Sequence, residues 1–100
     1  MEIKEMQKQS VAIIEDYNKK HGLEYKKDAV FYHLIEEIGE LSRELYHEKD
    51  SWRAEFNKEK FAEELIDVLG QLLNLAKDYD IDIEDAFNKK VAKLKKRYEI

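Results

Sequence analysis

His33 to Leu45 reads HLIEEIGELSREL, and the spacing inside it decides the fold. Leu34, Ile35, Ile38, Leu41 and Leu45 recur at three- and four-residue steps, the period of one face of an α-helix. The same segment carries Glu36, Glu37, Glu40 and Glu44, with Gly39 among them. Like charges three or four residues apart on a helix repel by a few tenths of a kcal/mol per pair, and an interior glycine costs up to about 1 kcal/mol relative to alanine. A helix with these liabilities needs a compensating partner.

The helical period continues on both sides and predicts four helices. The first runs from about Ile3 to Lys20 on Ile3, Met6, Ile13, Ile14 and Tyr17, and His21-Gly22 stops it. The second starts near Asp28, a candidate N-cap, and carries the opening segment. The polar stretch HEKDSWRAEFN then interrupts the pattern. Asn57 caps a third helix that reaches about Tyr79, with Phe61, Leu65, Val68, Leu69, Leu72, Leu73 and Ala76 as its apolar set. Asp82 caps the fourth, Ile83 to about Tyr98, which is expected to bury Phe87, Val91 and Leu94.

Nothing resembling a linker, low-complexity tract or repeat divides these pieces, so a single all-α domain over residues 1–100 is expected. Four short helices bury little core alone, and a four-helix bundle completed by homo-oligomerisation is the expected architecture.

Composition narrows the function. The chain is 43% hydrophobic and 41% charged with no proline, and its net charge is −5. That balance disfavours capture of duplex nucleic acid by the surface as a whole. Without cysteine there is no disulfide frame, thiolate metal site or cysteine nucleophile, which fits a reducing cytoplasm. The N-terminal MEIKEMQKQSVAII lacks the apolar core of a signal peptide, and no apolar run has membrane-spanning length. A soluble cytoplasmic protein is expected.

On a helical wheel the apolar arc of Leu34, Ile38, Leu41 and Leu45 centres about 70° from Glu37, and Glu40 and Glu44 fall just outside it. Glu64 and Asp67 hold the same border of the third helix, beside Phe61, Leu65, Val68 and Leu72. When two helices pack antiparallel through their apolar stripes, corresponding borders face each other. Glu37/Glu40 and Glu64/Asp67 are both centred on Trp52, so the four carboxylates are expected at one level of a helical hairpin. Unpartnered, they would be strained or forced to protonate. An all-oxygen ligand set suits Mg²⁺, with Mn²⁺ possible, better than zinc.

On the fourth helix Lys90, Lys93 and Arg97 share a face and suit phosphate binding, although cations near a helix C-terminus also complement its dipole. Glu44-x-x-His47 is half of a ferritin-type di-iron motif whose second copy is missing, and His47 is expected to be exposed. Gly39 and Gly70 lie away from the acidic borders and suggest close helix approach.

EEIGEL at residues 36–41 followed by EELIDVL at residues 63–69 resembles the E-x-x-E then E-x-x-D signature of MazG-like nucleoside triphosphate pyrophosphohydrolases. IDIEDAFNKKVAKLKKRY, with Lys90, Arg97 and Tyr98, is similar to that family's last helix. The resemblance spans roughly Leu34 to Tyr98. It implies an all-α dimer or dimer of dimers with Glu37, Glu40, Glu64 and Asp67 as Mg²⁺ ligands and basic residues on the triphosphate. The reaction it implies is hydrolysis between the α and β phosphates to a nucleoside monophosphate and pyrophosphate, as nucleotide-pool house-cleaning.

The competing readings are a relative acting on phosphoribosyl-ATP or deoxyuridine nucleotides, and a non-catalytic helical interaction module with an acidic ridge. Tyr25, Phe31, Tyr32 and His33 suit a base or the core alike, so base recognition is unassigned.

Overall fold

The computed structural model describes residues 1–49 and 55–100. It contains four helices: α1 (Ile3–His21), α2 (Lys27–Lys49), α3 (Lys58–Asp78) and α4 (Ile83–Tyr98). Among the described residues no strand occurs, and no helix is long and apolar enough to cross a membrane.

Local chemistry explains the boundaries. Gly22 closes α1 with φ 61°, the left-handed conformation a glycine adopts without a Cβ penalty, and the Leu23 N–H donates back to the Asn18 carbonyl at 2.8 Å. The Asn57 side chain accepts from the Lys60 N–H at 3.0 Å to cap α3, and Asp82 accepts from the Asp85 N–H at 3.1 Å to cap α4. Asp28 is not an N-cap: α2 begins at Lys27, and Asp28 sits in its first turn. α2 also extends through His47 to Lys49, into the polar stretch read as its end.

α3 packs along α2 on one side and against α1 on the other, and α4 meets α1. Val30 and Leu34 of α2 and Leu73 and Ala76 of α3 form the buried core. α1 turns a mixed face toward α3, because Met6, Ile13 and Tyr17 are exposed while Gln7, Ser10, Ile14 and Asn18 are half-buried. Polar side chains serve there because they reach backbone: Gln7 Nε2 donates to the Leu73 carbonyl at 3.1 Å, and Ser10 Oγ to the Gly70 carbonyl at 3.3 Å. Buried Asn74 donates to Ser10 Oγ at 3.0 Å and to the Gly70 carbonyl at 2.8 Å. A Cβ at Gly70 would lie 3.2 Å from Ser10 Oγ, so this glycine permits the close approach of α1. Gly39 meets nothing comparable among the described residues.

The rotation of α2 differs from the expected one. Glu44 is only 5% exposed, and Glu37, Leu41 and His47 are half-buried, whereas Ile38 is 45% exposed. The apolar arc of α2 is wider than one helix contact can cover. α3 covers the flank bordered by the carboxylates and leaves Phe31, Ile35, Ile38 and Leu45 exposed. On α3, Leu65 and Leu72 are exposed as well, and on α4 Phe87 is 65% exposed rather than buried. Val91 and Leu94 are half-buried.

Candidate metal centre

Rotating α2 this way moves its acidic border into the α2–α3 seam. Glu37, Glu40 and Glu64 each bring a carboxylate oxygen to within 4.8 Å of the others. Asp67 lies outside that trio and is exposed, yet its charge acts on both Glu37 and Glu64. The seam therefore joins three of the four sequence-predicted carboxylates directly and holds the fourth at its edge. Trp52, the expected centre of the hairpin, lies outside the described residues.

Among the described residues, no counter-charge offsets the acidic cluster around Glu37 and Glu64. Burial pushes the Glu37 carboxyl above the ordinary glutamate range, and the charges of Glu40, Asp67 and Glu64 push it further. Burial likewise raises Glu64, with Glu40, Asp67 and Glu44 adding to the shift. Glu37 Oε2 and Glu64 Oε2 are buried without a hydrogen-bond partner among the described residues. Buried polar atoms in folded proteins almost always have one. Hard divalent cations take all-oxygen shells whose opposed ligands stand about 4 Å apart, so the donor set and its span fit such an ion.

A pH effect follows. Because the folded pKa values of Glu37 and Glu64 lie above those of the unfolded chain, the folded state holds protons that unfolding releases. Stability contributed by these groups therefore falls as pH rises through the folded values. The melting temperature of protein stripped with EDTA should rise as pH is lowered from neutrality toward the ordinary glutamate range, and Glu64→Gln should reduce that slope. A wild-type slope that Glu64→Gln leaves unchanged would refute the assignment.

One turn along the seam, Glu44 is held by Lys60, which no sequence motif connected to it, and by His47 of the Glu44-x-x-His47 pair. Lys60 Nζ of α3 lies 3.3 Å from Oε1, and His47 Nδ1 lies 3.6 Å from Oε2. His47 is thus half-buried against Glu44 instead of exposed. Hairpin arithmetic carried the signal: the level that pairs Glu40 with Glu64 pairs Glu44 with Lys60 one turn on.

The other candidates lie elsewhere. Lys90, Lys93 and Arg97 are exposed and, among the described residues, form no ion pair with the seam. His33 Nδ1 lies 3.4 Å from Glu36 Oε1 on the surface. The Tyr25 hydroxyl donates to Asp78 Oδ2, and burial, followed by that bond and the Asp78 charge, raises its pKa. Phe31 and Tyr32 line a groove with Leu72 and Tyr79.

Fold and seam together define an all-α protein with a carboxylate cluster between two antiparallel helices. The family model of the MazG nucleotide pyrophosphohydrolase domain matches residues 26–99, and the chain belongs to that family. It is also similar to YvdC, an uncharacterized protein of Bacillus subtilis (strain 168), at 36% identity over 94 residues, covering 85% of this chain and 88% of the relative. No solved structure gives a significant match.

Proposed function

We propose that the protein is a Mg²⁺-dependent nucleoside triphosphate pyrophosphohydrolase. It splits the anhydride between the α and β phosphates of ribo- or deoxyribonucleotides and releases a nucleoside monophosphate and pyrophosphate. The observation that carries this reading is the pair of buried, partnerless carboxylate oxygens on Glu37 and Glu64 inside the acidic seam.

Glu37, Glu40, Glu64 and Asp67 are the proposed metal ligands, with Mn²⁺ as an acceptable substitute. When bound, the cation supplies charge neutralisation for the phosphates and makes water more acidic. The seam's own part is to fix the carboxylates between two packed helices and to offer an oxygen that accepts the proton of the attacking water. Lys90, Lys93 and Arg97 are proposed as further phosphate contacts, delivered to the seam in the assembled oligomer.

All 100 residues are proposed to act as one unit, in a cytoplasmic homodimer or dimer of dimers that cleans the nucleotide pool. Accessible surface supports association: the chain exposes 8355 Å², where a folded monomer of 12.0 kDa exposes about 6,000 Å². The excess, about 2,400 Å², is of the size each partner buries in obligate assemblies.

The test is a panel of NTPs and dNTPs incubated with and without Mg²⁺ while pyrophosphate release is followed. Release that requires the metal and yields monophosphate is expected. If no nucleotide in the panel is hydrolysed with either Mg²⁺ or Mn²⁺, the reading fails.

A further inference from the structure

The seam differs at its two ends. One turn from Glu37 and Asp67, His33 and Gln71 border a cavity of about 660 Å³ that is also lined by Ile14, Tyr25, Val30 and Asn74. That volume is ample for a small ligand. At the opposite end Glu44 is buried and Lys60 reaches it across the two helices. Among the described residues, Lys60 is the only lysine or arginine ion-paired with a seam carboxylate.

Its position calls for a reason. Lys60 stands in the first turn of α3, where a cation opposes the helix dipole. Four residues before Glu64, it lies on the same helix face as that carboxylate. Its side chain is 59% exposed even though its partner Glu44 is buried. The ammonium is therefore anchored on Glu44 and otherwise open to solvent. Glu44 would keep His47 on its second oxygen if Lys60 turned outward.

We propose that Lys60 is a phosphate-binding residue which contacts the pyrophosphate portion of the substrate. The substrate then lies along the seam with its terminal phosphates toward Lys60 and its nucleoside toward the cavity at His33 and Gln71. From Lys60 to Gln71 is about 16 Å along the axis of α3, comparable to an extended nucleoside triphosphate. This inference rests on the pyrophosphohydrolase reading and adds a cation from the same chain as the carboxylates.

The test is calorimetric binding of inorganic pyrophosphate in the presence of Mn²⁺ to the full-length protein and its variants, with Mn²⁺ binding alone and melting temperature measured beside it. Lys60→Gln should weaken pyrophosphate binding at least about tenfold, the scale of one charge-assisted phosphate contact. Mn²⁺ should still bind as tightly or more tightly. Lys60→Arg should recover most of the loss, and Glu44→Gln, which keeps the lysine, should stay within about threefold of wild type. Pyrophosphate binding that ignores Lys60→Gln overturns the proposal, as does absence of pyrophosphate binding to the wild type. Equal losses in Lys60→Gln and Glu44→Gln, accompanied by equal losses of melting temperature, also overturn it by revealing a purely structural ion pair. Absence of nucleotide hydrolysis by the wild type would instead refute the enzymatic reading, which the panel measures separately.

Discussion

Glu64→Gln is expected to reduce metal-dependent pyrophosphate release by at least about 100-fold while raising the melting temperature of the metal-free protein by about 2–6 °C. The two effects share one cause. Glu64 is half-buried, its Oε2 has no hydrogen-bond partner among the described residues, and the charges of Glu40, Asp67 and Glu44 all oppose its ionisation. A neutral amide of the same shape removes that repulsion from the metal-free fold and deletes an anionic ligand from the proposed centre. Stability given up for activity is the usual signature of a functional site. Mg²⁺ should therefore stabilise the wild type and have little effect on the variant, as thermal shift measurements will report. A variant that loses activity and melts lower would instead mark Glu64 as an ordinary packing residue.

Charges placed on the open apolar face should be as damaging by another route. Phe31 and Leu72 are exposed in the single chain and flank a groove of about 770 Å³ between α2 and α3 that continues to Tyr79 and Ile81. Tyr32, Ile35 and Ile38 of α2 are likewise exposed. The radius of gyration, 16.5 Å, also exceeds the roughly 13 Å of a compact chain of this length. If a second copy covers this face, Phe31→Glu with Leu72→Glu buries two unpaired carboxylates in the interface, each costing several kcal/mol. Light scattering should then report a monomer in place of a dimer or tetramer, with hydrolysis lost because the exposed half of each helix pair loses its support. A wild type that is itself monomeric at micromolar concentration would remove this face from consideration as an interface.

Much of the fold was readable before the structure. Asn57 and Asp82 cap α3 and α4 as their side chains dictate, and Gly22 ends α1 because glycine takes the left-handed turn at no steric cost. The acidic pairs on α2 and α3 were legible because helical spacing fixes which residues share a border and hairpin geometry fixes which borders meet.

The burial of those borders was not legible. Ile38 and Leu45 belong to the same apolar arc as Leu34 and Leu41, and spacing does not choose which flank of a wide arc meets α3. Met6, Ile13 and Tyr17 of α1 are exposed for a similar reason: the Gly70 gap and the carbonyls of α3 favour Ser10 and Gln7 at the contact.

The sequence by itself thus determined four helices, the ends of α1, α3 and α4 but not those of α2, and two acidic borders at matching heights, since these follow from local backbone preference and the helical period. Only the tertiary structure decided that Glu37, Glu44 and Glu64 turn inward, that Lys60 and His47 close on Glu44, and that a second apolar flank stays open. Each of those depends on how three helices compete for one another's faces, a choice made by packing across the chain and not by any stretch of it.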